Sequence, residues 1–391
     1  MKKLISILGS TGSIGLTTLK VINAKKNYFK PYIFSANRNY NLICKQIKKY
    51  KPRYYVITDE TVYRKVKRRF SKVNKVKILN NFDLIKVKRK VDVTITAVPG
   101  IDGLKPTISA IQFSNKVLIA NKESIICGWN IIKKHITKNK TKVIPIDSEH
   151  FSIQKIIEKI NRKDISKIYI TASGGPFLNY PKNKLKKIKP KDALKHPKWK
   201  MGKKISVDSA TLMNKIFEVI EAQKIFNLSQ KKINILIHPE SLIHALIELK
   251  NGLTYFIYHE TSMIVPIANA IFDDNIEINQ FLDLKKKNFN KPIKNLSFQN
   301  VSSKIFPTIS LIKEINKYSS AAIIVNASNE ILVDQFLRGN IEFLHIFRLI
   351  KSILNDRNYR KYAIRKPQNI SHIIEIDKWA RKKTINKIIL K

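Results

Sequence analysis

Short β-branched runs alternate with longer amphipathic stretches through the first 150 residues of the chain. Strand-like runs fall at 4–8, 32–35, 54–57, 91–97, 116–120 and 143–146, with helical stretches between them. Parallel strands need crossover connections, usually helices, so this order predicts a doubly wound parallel sheet. Beyond residue 151 the pattern becomes mixed, with strands at 167–171, 233–237 and near 253–258 and a helix from about 210 to 226. That predicts a second, α+β domain. Residues 273–298, with Asp273-Asp274, Lys285-Lys286-Lys287 and Pro292, are polar and irregular and read as a linker. Helical periods at 309–317, 319–338 and 343–354 then predict a small helical domain. The expected organisation is α/β: a Rossmann-like dinucleotide domain over 1–147, a central α+β domain over 148–272, the linker 273–298 and a C-terminal helical domain over 299–391.

Composition narrows the function classes. A chain of 391 residues with 43% hydrophobic positions buries a large core. Its net charge of +47 attracts polyanions in general. The lysines, however, run from Lys2 to Lys391 among Ile and Asn, without a one-sided basic face interleaved with aromatics. Neither nucleic acid nor a membrane is therefore an expected partner. Only Cys44 and Cys127 are present, outside any C-x-x-C, which excludes a disulfide framework and a thiolate metal site and suits the cytoplasm. The opening apolar run stops at Gly9 with no cleavage pattern after it, and no run approaches the roughly 18 apolar residues of a membrane span.

Several segments carry candidate chemistry. Gly9-Ser10-Thr11-Gly12-Ser13-Ile14-Gly15 lies between the first strand and the first helix, where a tight turn and a helix N-terminus suit a pyrophosphate. After the second strand comes Asn37-Arg38-Asn39 in place of the acid that takes a ribose 2′-OH, so NADP is preferred over NAD. Asp147-Ser148-Glu149-His150 places two carboxylates together in an acid-poor chain. If the backbone stays extended there, both acids face one way and reach one hard cation; a solvated strand-to-helix turn is the alternative. Glu218, i+4 from Asn214 and next to Lys215 in space on a predicted helix, is a candidate third carboxylate, and oxygen-only ligation points to Mg²⁺ or Mn²⁺. Ser173-Gly174-Gly175-Pro176 offers a hydroxyl and backbone N–H groups to an oxyanion or phosphate. A Lys-rich loop near 181–203, carrying His196, Trp199 and Met201, reads as a lid. Asn121-Lys122-Glu123-Ser124 follows a strand end, facing the expected cofactor crevice, and His238 and His244 read as core or supporting groups.

Taken in order, GSTGSIG (9–15), ANKES (120–124), PIDSEH (145–150), SGGPF (173–177), HPKWKMGKKISVDSATLMNK (196–215) and IHPESLIH (237–244) resemble the 1-deoxy-D-xylulose 5-phosphate reductoisomerase family. The resemblance runs along essentially the whole chain. It implies isomerisation and reduction of 1-deoxy-D-xylulose 5-phosphate to 2-C-methyl-D-erythritol 4-phosphate, with NADPH, a divalent cation (Mg²⁺ or Mn²⁺, with Co²⁺ as a further option) and a homodimer. Carried over by motif, Asp147, Glu149 and Glu218 hold the metal. Thr11, Gly12, Ser13, Ile14, Asn37, Arg38, Asn39, Asn121, Glu123 and Gly202 contact NADPH. Lys122, Ser148, Glu149, Ser173, His196, Ser209, Asn214, Lys215 and Glu218 hold the sugar phosphate, with Lys122 assisting at the reacting oxygens and Lys122, Asp147, Glu149 and Glu218 counted as catalytic. Three departures stand out: Asn37 replaces a family Gly, Ile216-Phe217 replaces Gly-Leu, and 259–266 lacks the usual acidic-x-Arg. A left-handed turn at Asn37 is expected, since Asn tolerates it. A simple NADP dehydrogenase without rearrangement chemistry is the competing enzyme.

Overall fold

A computed structural model of the chain describes residues 2–72, 75–85, 87, 89–199, 201–278 and 295–389. It forms two compact units, Met1–Ser124 with Ile132–Phe151 and Met263–Ile293, and Ile125–Ile131 with Ser152–Ser262 and Lys294–Lys391.

The first unit is built on seven strands: β1 (Lys3–Leu8), β2 (Phe29–Ala36), β3 (Tyr54–Ile57), β4 (Lys77–Leu79), β5 (Val91–Thr96), β6 (Ser114–Ile119) and β7 (Lys142–Pro145). Their order is β4-β3-β2-β1-β5-β6-β7, and every neighbouring pair is parallel. The direction of winding reverses between β1 and β5, which opens a crevice beyond their carboxyl ends. Parallel strands are covered on both faces, so they read as continuous apolar runs; Ile5, Ile7, Phe34, Tyr55, Val93, Ile95 and Leu118 all enter one core. The helix Ile264–Phe272 joins that core through Ile264, Ile267 and Ile271. Its C-terminal carbonyls at Ala270 and Ile271 accept from the Lys116 ammonium at 3.0 and 3.2 Å, which also meets Asp273 at 2.7 Å. Burial lowers the Lys116 pKa, and Asp273 works against that shift. The expected linker thus begins with a residue anchored in this unit, and its stretch 279–294 lies outside the described residues.

The second unit holds β8 (Ile165–Ala172), β9 (Ile233–Ile237), β10 (Ile243–Leu249), β11 (Thr254–Tyr258) and β12 (Gln299–Asn300), in the order β11-β10-β8-β9-β12. Only β8 and β9 run parallel; the other pairs are antiparallel. Helices Ala321–Leu337, Phe343–Leu354 and Ile370–Ile389 complete the C-terminal region. Among the described residues, no helix is long and apolar enough to cross a membrane.

The α/β class and the doubly wound sheet are as the pattern predicts. Several elements differ. The short strands β4 and β12, the interior strand β10 and the helices Tyr359–Ala363 and Ile370–Ile389 were not expected. The helix expected from about 210 to 226 forms over Met213–Phe226, and a separate helix, Lys203–Ala210, precedes it; between them Leu212 takes φ +64° while buried in the core. A left-handed Leu is strained and persists only where packing over-determines it.

Candidate active site

The glycine turn joins β1 to the helix Ser13–Ala24 in the first unit. Gly9 has φ +91°, and a Cβ there would lie 2.5 Å from the Ala97 carbonyl oxygen; at Gly15 a Cβ would lie 2.4 Å from the Gly9 oxygen. Those two glycines are demanded by backbone packing. At Gly12 a Cβ would meet its nearest atom, the Gly9 oxygen, at an ordinary contact distance of 3.5 Å, so backbone packing does not demand a glycine there. Gly12 caps the helix without a side-chain acceptor, and no acid occupies the first turn. The positive helix end is left to an external anion.

At the end of β2, the Arg38 guanidinium is 83% exposed and meets Asp59 at 3.1 Å. Asn37 donates to Thr58 Oγ1 at 2.8 Å, and Asn39 caps the helix Tyr40–Tyr50 by accepting from Leu42 N at 3.2 Å.

Because β6 and β7 are neighbours in a parallel sheet, the residues after them share one end. Asn121 caps the helix Lys122–Asn139, accepting from Ser124 N at 2.6 Å while its amide donates to Val98 O at 2.6 Å and Glu123 Oε2 at 3.2 Å. Lys122 Nζ meets Asp147 Oδ2 at 2.9 Å, both largely shielded from water. Of the two backbone paths open from sequence, the extended Asp147–Glu149 run does not form and the strand-to-helix turn does. A helix begins at Ser148, so Asp147 stands at its N-terminal cap and Glu149 in its first turn, where Ser148 Oγ donates to Glu149 Oε2 at 2.6 Å. Carboxylates are favourable there because the first helical amides lack intrahelical partners.

The second unit gathers the remaining polar residues. After β8, Gly174 and Gly175 take φ +82° and +61°, and a Cβ on Gly175 would press within 3.0 Å of the Ser209 oxygen. Ser173 Oγ lies 2.9 Å from His196 Nε2 and accepts from Gly175 N at 3.1 Å. His196 Nδ1 accepts the amides of Lys198 and Trp199 at 3.2 and 2.9 Å, so Nε2 carries the proton and donates to Ser173. Burial, then the Lys215 charge, lower the His196 pKa to about 4, so the ring is neutral at pH 7. With two donors already on its oxygen, Ser173 has its own O–H to give to a ligand. Asn214 and Lys215 grip the two oxygens of Glu218, which is 1% exposed; the lysine contact is 2.7 Å. Trp199 packs edge-on to His244, with centroids 6.0 Å apart. Lys200, inside the expected lid 181–203, lies outside the described residues.

Residues 5–128 match the family model of 1-deoxy-D-xylulose 5-phosphate reductoisomerase, and 143–226 and 259–383 match models of that enzyme's C-terminal domains. The 1-deoxy-D-xylulose 5-phosphate reductoisomerase of Pelagibacter ubique (strain HTCC1062) is 43% identical over 379 residues, covering 95% of this chain and 96% of the relative. That of Wolbachia pipientis (strain wPip) is 39% identical over 383 residues, covering 96% and 95%. The chain belongs to the 1-deoxy-D-xylulose 5-phosphate reductoisomerase family. Solved members agree in fold. A DOX-P reductoisomerase in complex with NADPH, fosmidomycin and magnesium superposes at TM-score 0.90, 28% identity and 99% and 98% coverage of the two chains. The Zymomonas mobilis reductoisomerase in complex with NADPH does so at 0.86, 30% identity and 99% of each chain.

The three departures from the reductoisomerase pattern have structural answers. The left-handed turn expected at Asn37 is absent: its φ is not positive, so no glycine is needed there. Ile216 is fully buried and leaves the Lys215–Glu218 contact intact. In 259–266, Ile264 enters the core of the first unit, and His259 stacks on His244 with centroids 4.0 Å apart. Of the residues expected at the cofactor, Gly202 alone lies in the second unit, at the cap of helix Lys203–Ala210, with nothing within 4 Å of its would-be Cβ. Asp208 is not among the residues that the motifs single out as site candidates. It is buried next to Ser209, paired with Lys204 at 3.0 Å and accepting from Asn329 at 2.7 Å. An acid that precedes a candidate site residue was its only signal.

Proposed function

We propose that this family member reduces and isomerises 1-deoxy-D-xylulose 5-phosphate to 2-C-methyl-D-erythritol 4-phosphate with NADPH and a divalent cation. The observation that carries the reading is the shielded Lys122–Asp147 pair at the carboxyl ends of β6 and β7, in a chain matched by reductoisomerases over 95% of its length. Thr11, Gly12, Ser13, Ile14, Asn37, Arg38, Asn39, Asn121, Glu123 and Gly202 contact the cofactor, which supplies hydride.

The donors Asp147, Glu149 and Glu218 fit a hard dication: three carboxylates, each oriented by a neighbouring ammonium, hydroxyl or amide, with no thiolate among them. When bound, Mg²⁺, Mn²⁺ or Co²⁺ supplies Lewis acidity at the substrate's carbonyl and adjacent hydroxyl oxygens. Lys122, held by Asp147, presents N–H protons to oxygens that gain negative charge. Ser148 orients Glu149. Ser173, Ser209, Asn214 and Lys215 take the substrate phosphate, and neutral His196 fixes the direction in which Ser173 donates. Trp199 and Met201 belong to the segment that closes and excludes water.

The test is calorimetric titration with fosmidomycin, the compound bound in the related complex. Binding in the presence of NADPH and Mg²⁺ that weakens by about 100-fold or more in chelator is expected; tight binding unaffected by chelator would count against the metal assignment.

A homodimer is part of the same reading. The strand β11 ends its sheet and exposes Tyr255, Phe256 and Tyr258, next to exposed Leu253. An apolar sheet edge left open invites pairing or aggregation, and a second copy of the chain satisfies it. Light scattering is expected to give twice 45.3 kDa; a mass of one chain at working concentration would refute the dimer. A cytoplasmic location suits a chain with two buried cysteines and no disulfide framework; recovery of the active protein from a secreted fraction would contradict it.

A further inference from the structure

The inner face of helix Tyr40–Tyr50 is apolar at Ile43, Cys44 and Ile47 but also carries Gln46, which is 3% exposed. Tyr55 of β3 and Ser10 of the glycine turn are fully buried as well. An amide and two hydroxyls in such a core cost desolvation unless they satisfy one another. They do so around a single residue. Ser10 Oγ donates to Gln46 Oε1 at 2.6 Å, and the Tyr55 hydroxyl donates to the same oxygen at 2.7 Å. Gln46 Nε2 donates back to the Ser10 carbonyl at 2.9 Å. That carbonyl can only accept, so the amide nitrogen must face it and the amide oxygen must face the hydroxyls. Burial pushes the Tyr55 phenol well above its usual range, so it remains an O–H donor. Ser10 N donates to Ser35 O at 2.8 Å, which fixes the other side of the residue.

In a trans peptide the C=O of one residue and the N–H of the next point in opposite directions, and no described peptide bond is cis. Holding the Ser10 carbonyl inward therefore turns the Thr11 N–H outward, on the exposed side of the turn at Gly12 and Ser13. We propose that Gln46, assisted by Tyr55, is a positioning residue for the dinucleotide: it clamps Ser10 so that the turn's amide is aimed at the cofactor's pyrophosphate. Neither side chain touches the cofactor. Without the clamp the Ser10 carbonyl loses its amide donor and the Ser10–Thr11 peptide plane is less restrained, and the ordering that the clamp has already supplied must be supplied on binding. The inference rests on the reading of this turn as the cofactor site.

The experiment compares wild type, Gln46→Leu and Tyr55→Phe in two titrations, one with NADPH and one with adenosine 2′-monophosphate, which has no pyrophosphate. Gln46→Leu is expected to weaken NADPH by about tenfold, to leave the nucleotide monophosphate within about twofold, and to leave kcat at saturating NADPH nearly unchanged. Tyr55→Phe, which keeps the ring and loses one donor, is expected to weaken NADPH by about two- to threefold. Unchanged NADPH affinity in either variant, or equal weakening of both probes, would overturn the proposal, since a merely structural role moves both alike. If Gln46→Leu does not fold, the Tyr55→Phe comparison decides. Wild type that binds neither probe would overturn the cofactor reading itself, an outcome distinct from any change between variants.

Discussion

Glu149→Gln is expected to abolish metal-dependent turnover, lowering kcat by about 10³-fold or more, while NADPH affinity stays within about twofold. The substitution keeps size and shape and removes one negative charge and one anionic donor from a hard-cation site. Ser148, which donates to Glu149 at 2.6 Å, still finds an acceptor in the amide, so the first turn of its helix is preserved. The loss therefore falls on the metal and the chemistry, not on the fold. Rate measurements across Mg²⁺ concentrations, beside a fluorescence titration of NADPH, separate the two. Turnover near the wild-type level would remove Glu149 from the metal set. Loss of NADPH binding would show that the residue serves the cofactor instead.

The second large effect belongs to Gly9. Gly9→Ala places a methyl 2.5 Å from the Ala97 carbonyl oxygen at a φ of +91° that L-residues rarely adopt. A clash with backbone and a strained dihedral combine, and a loss of about 2–4 kcal/mol is expected. Gly12→Ala provides the contrast. Its φ is −80° and its nearest neighbour would be 3.5 Å away, so stability should hardly move. The added methyl instead occupies space through which a pyrophosphate approaches, and NADPH affinity should fall. Denaturant midpoints for the two variants, with NADPH titrations of the folded protein, check both halves. Equal stability of Gly9→Ala and wild type would mean that the turn is not held as described.

What could be read in advance depended on whether the information was local. Strands 54–57 and 233–237 and the helix 343–354 are single uninterrupted patterns and appear with the expected bounds. The helix Ile370–Ile389 was obscured because Ile374 and Ile385 face outward while Ile373, Ile376 and Ala380 face inward, which blurs the apolar stripe. Strand β10 is masked because its run Ile243–Leu249 is buried at most positions and includes His244, so it lacks a clean apolar/polar alternation. The break at Leu212 is set by core packing rather than by local propensity, so no periodicity reveals it.

The candidate site divides in the same way. Its glycines, acids and lysines lie in contiguous blocks whose chemistry is visible residue by residue. The supporting contacts join residues far apart in the chain: Gln46 with Ser10, Asn329 with Asp208 and His259 with His244. Each is a polar group at an inward position, and only the fold shows which partner makes that position tolerable.

The proposed activity is NADPH-dependent conversion of one sugar phosphate under metal control. The most direct measurement mixes folded protein with 1-deoxy-D-xylulose 5-phosphate, NADPH and Mg²⁺ and follows the absorbance of the reduced nicotinamide. The expected result is a substrate-dependent loss that stops on addition of chelator and resumes when Mg²⁺ or Mn²⁺ is restored. Folded protein that leaves NADPH untouched, or that oxidises it undiminished in chelator as a simple dehydrogenase would, contradicts it.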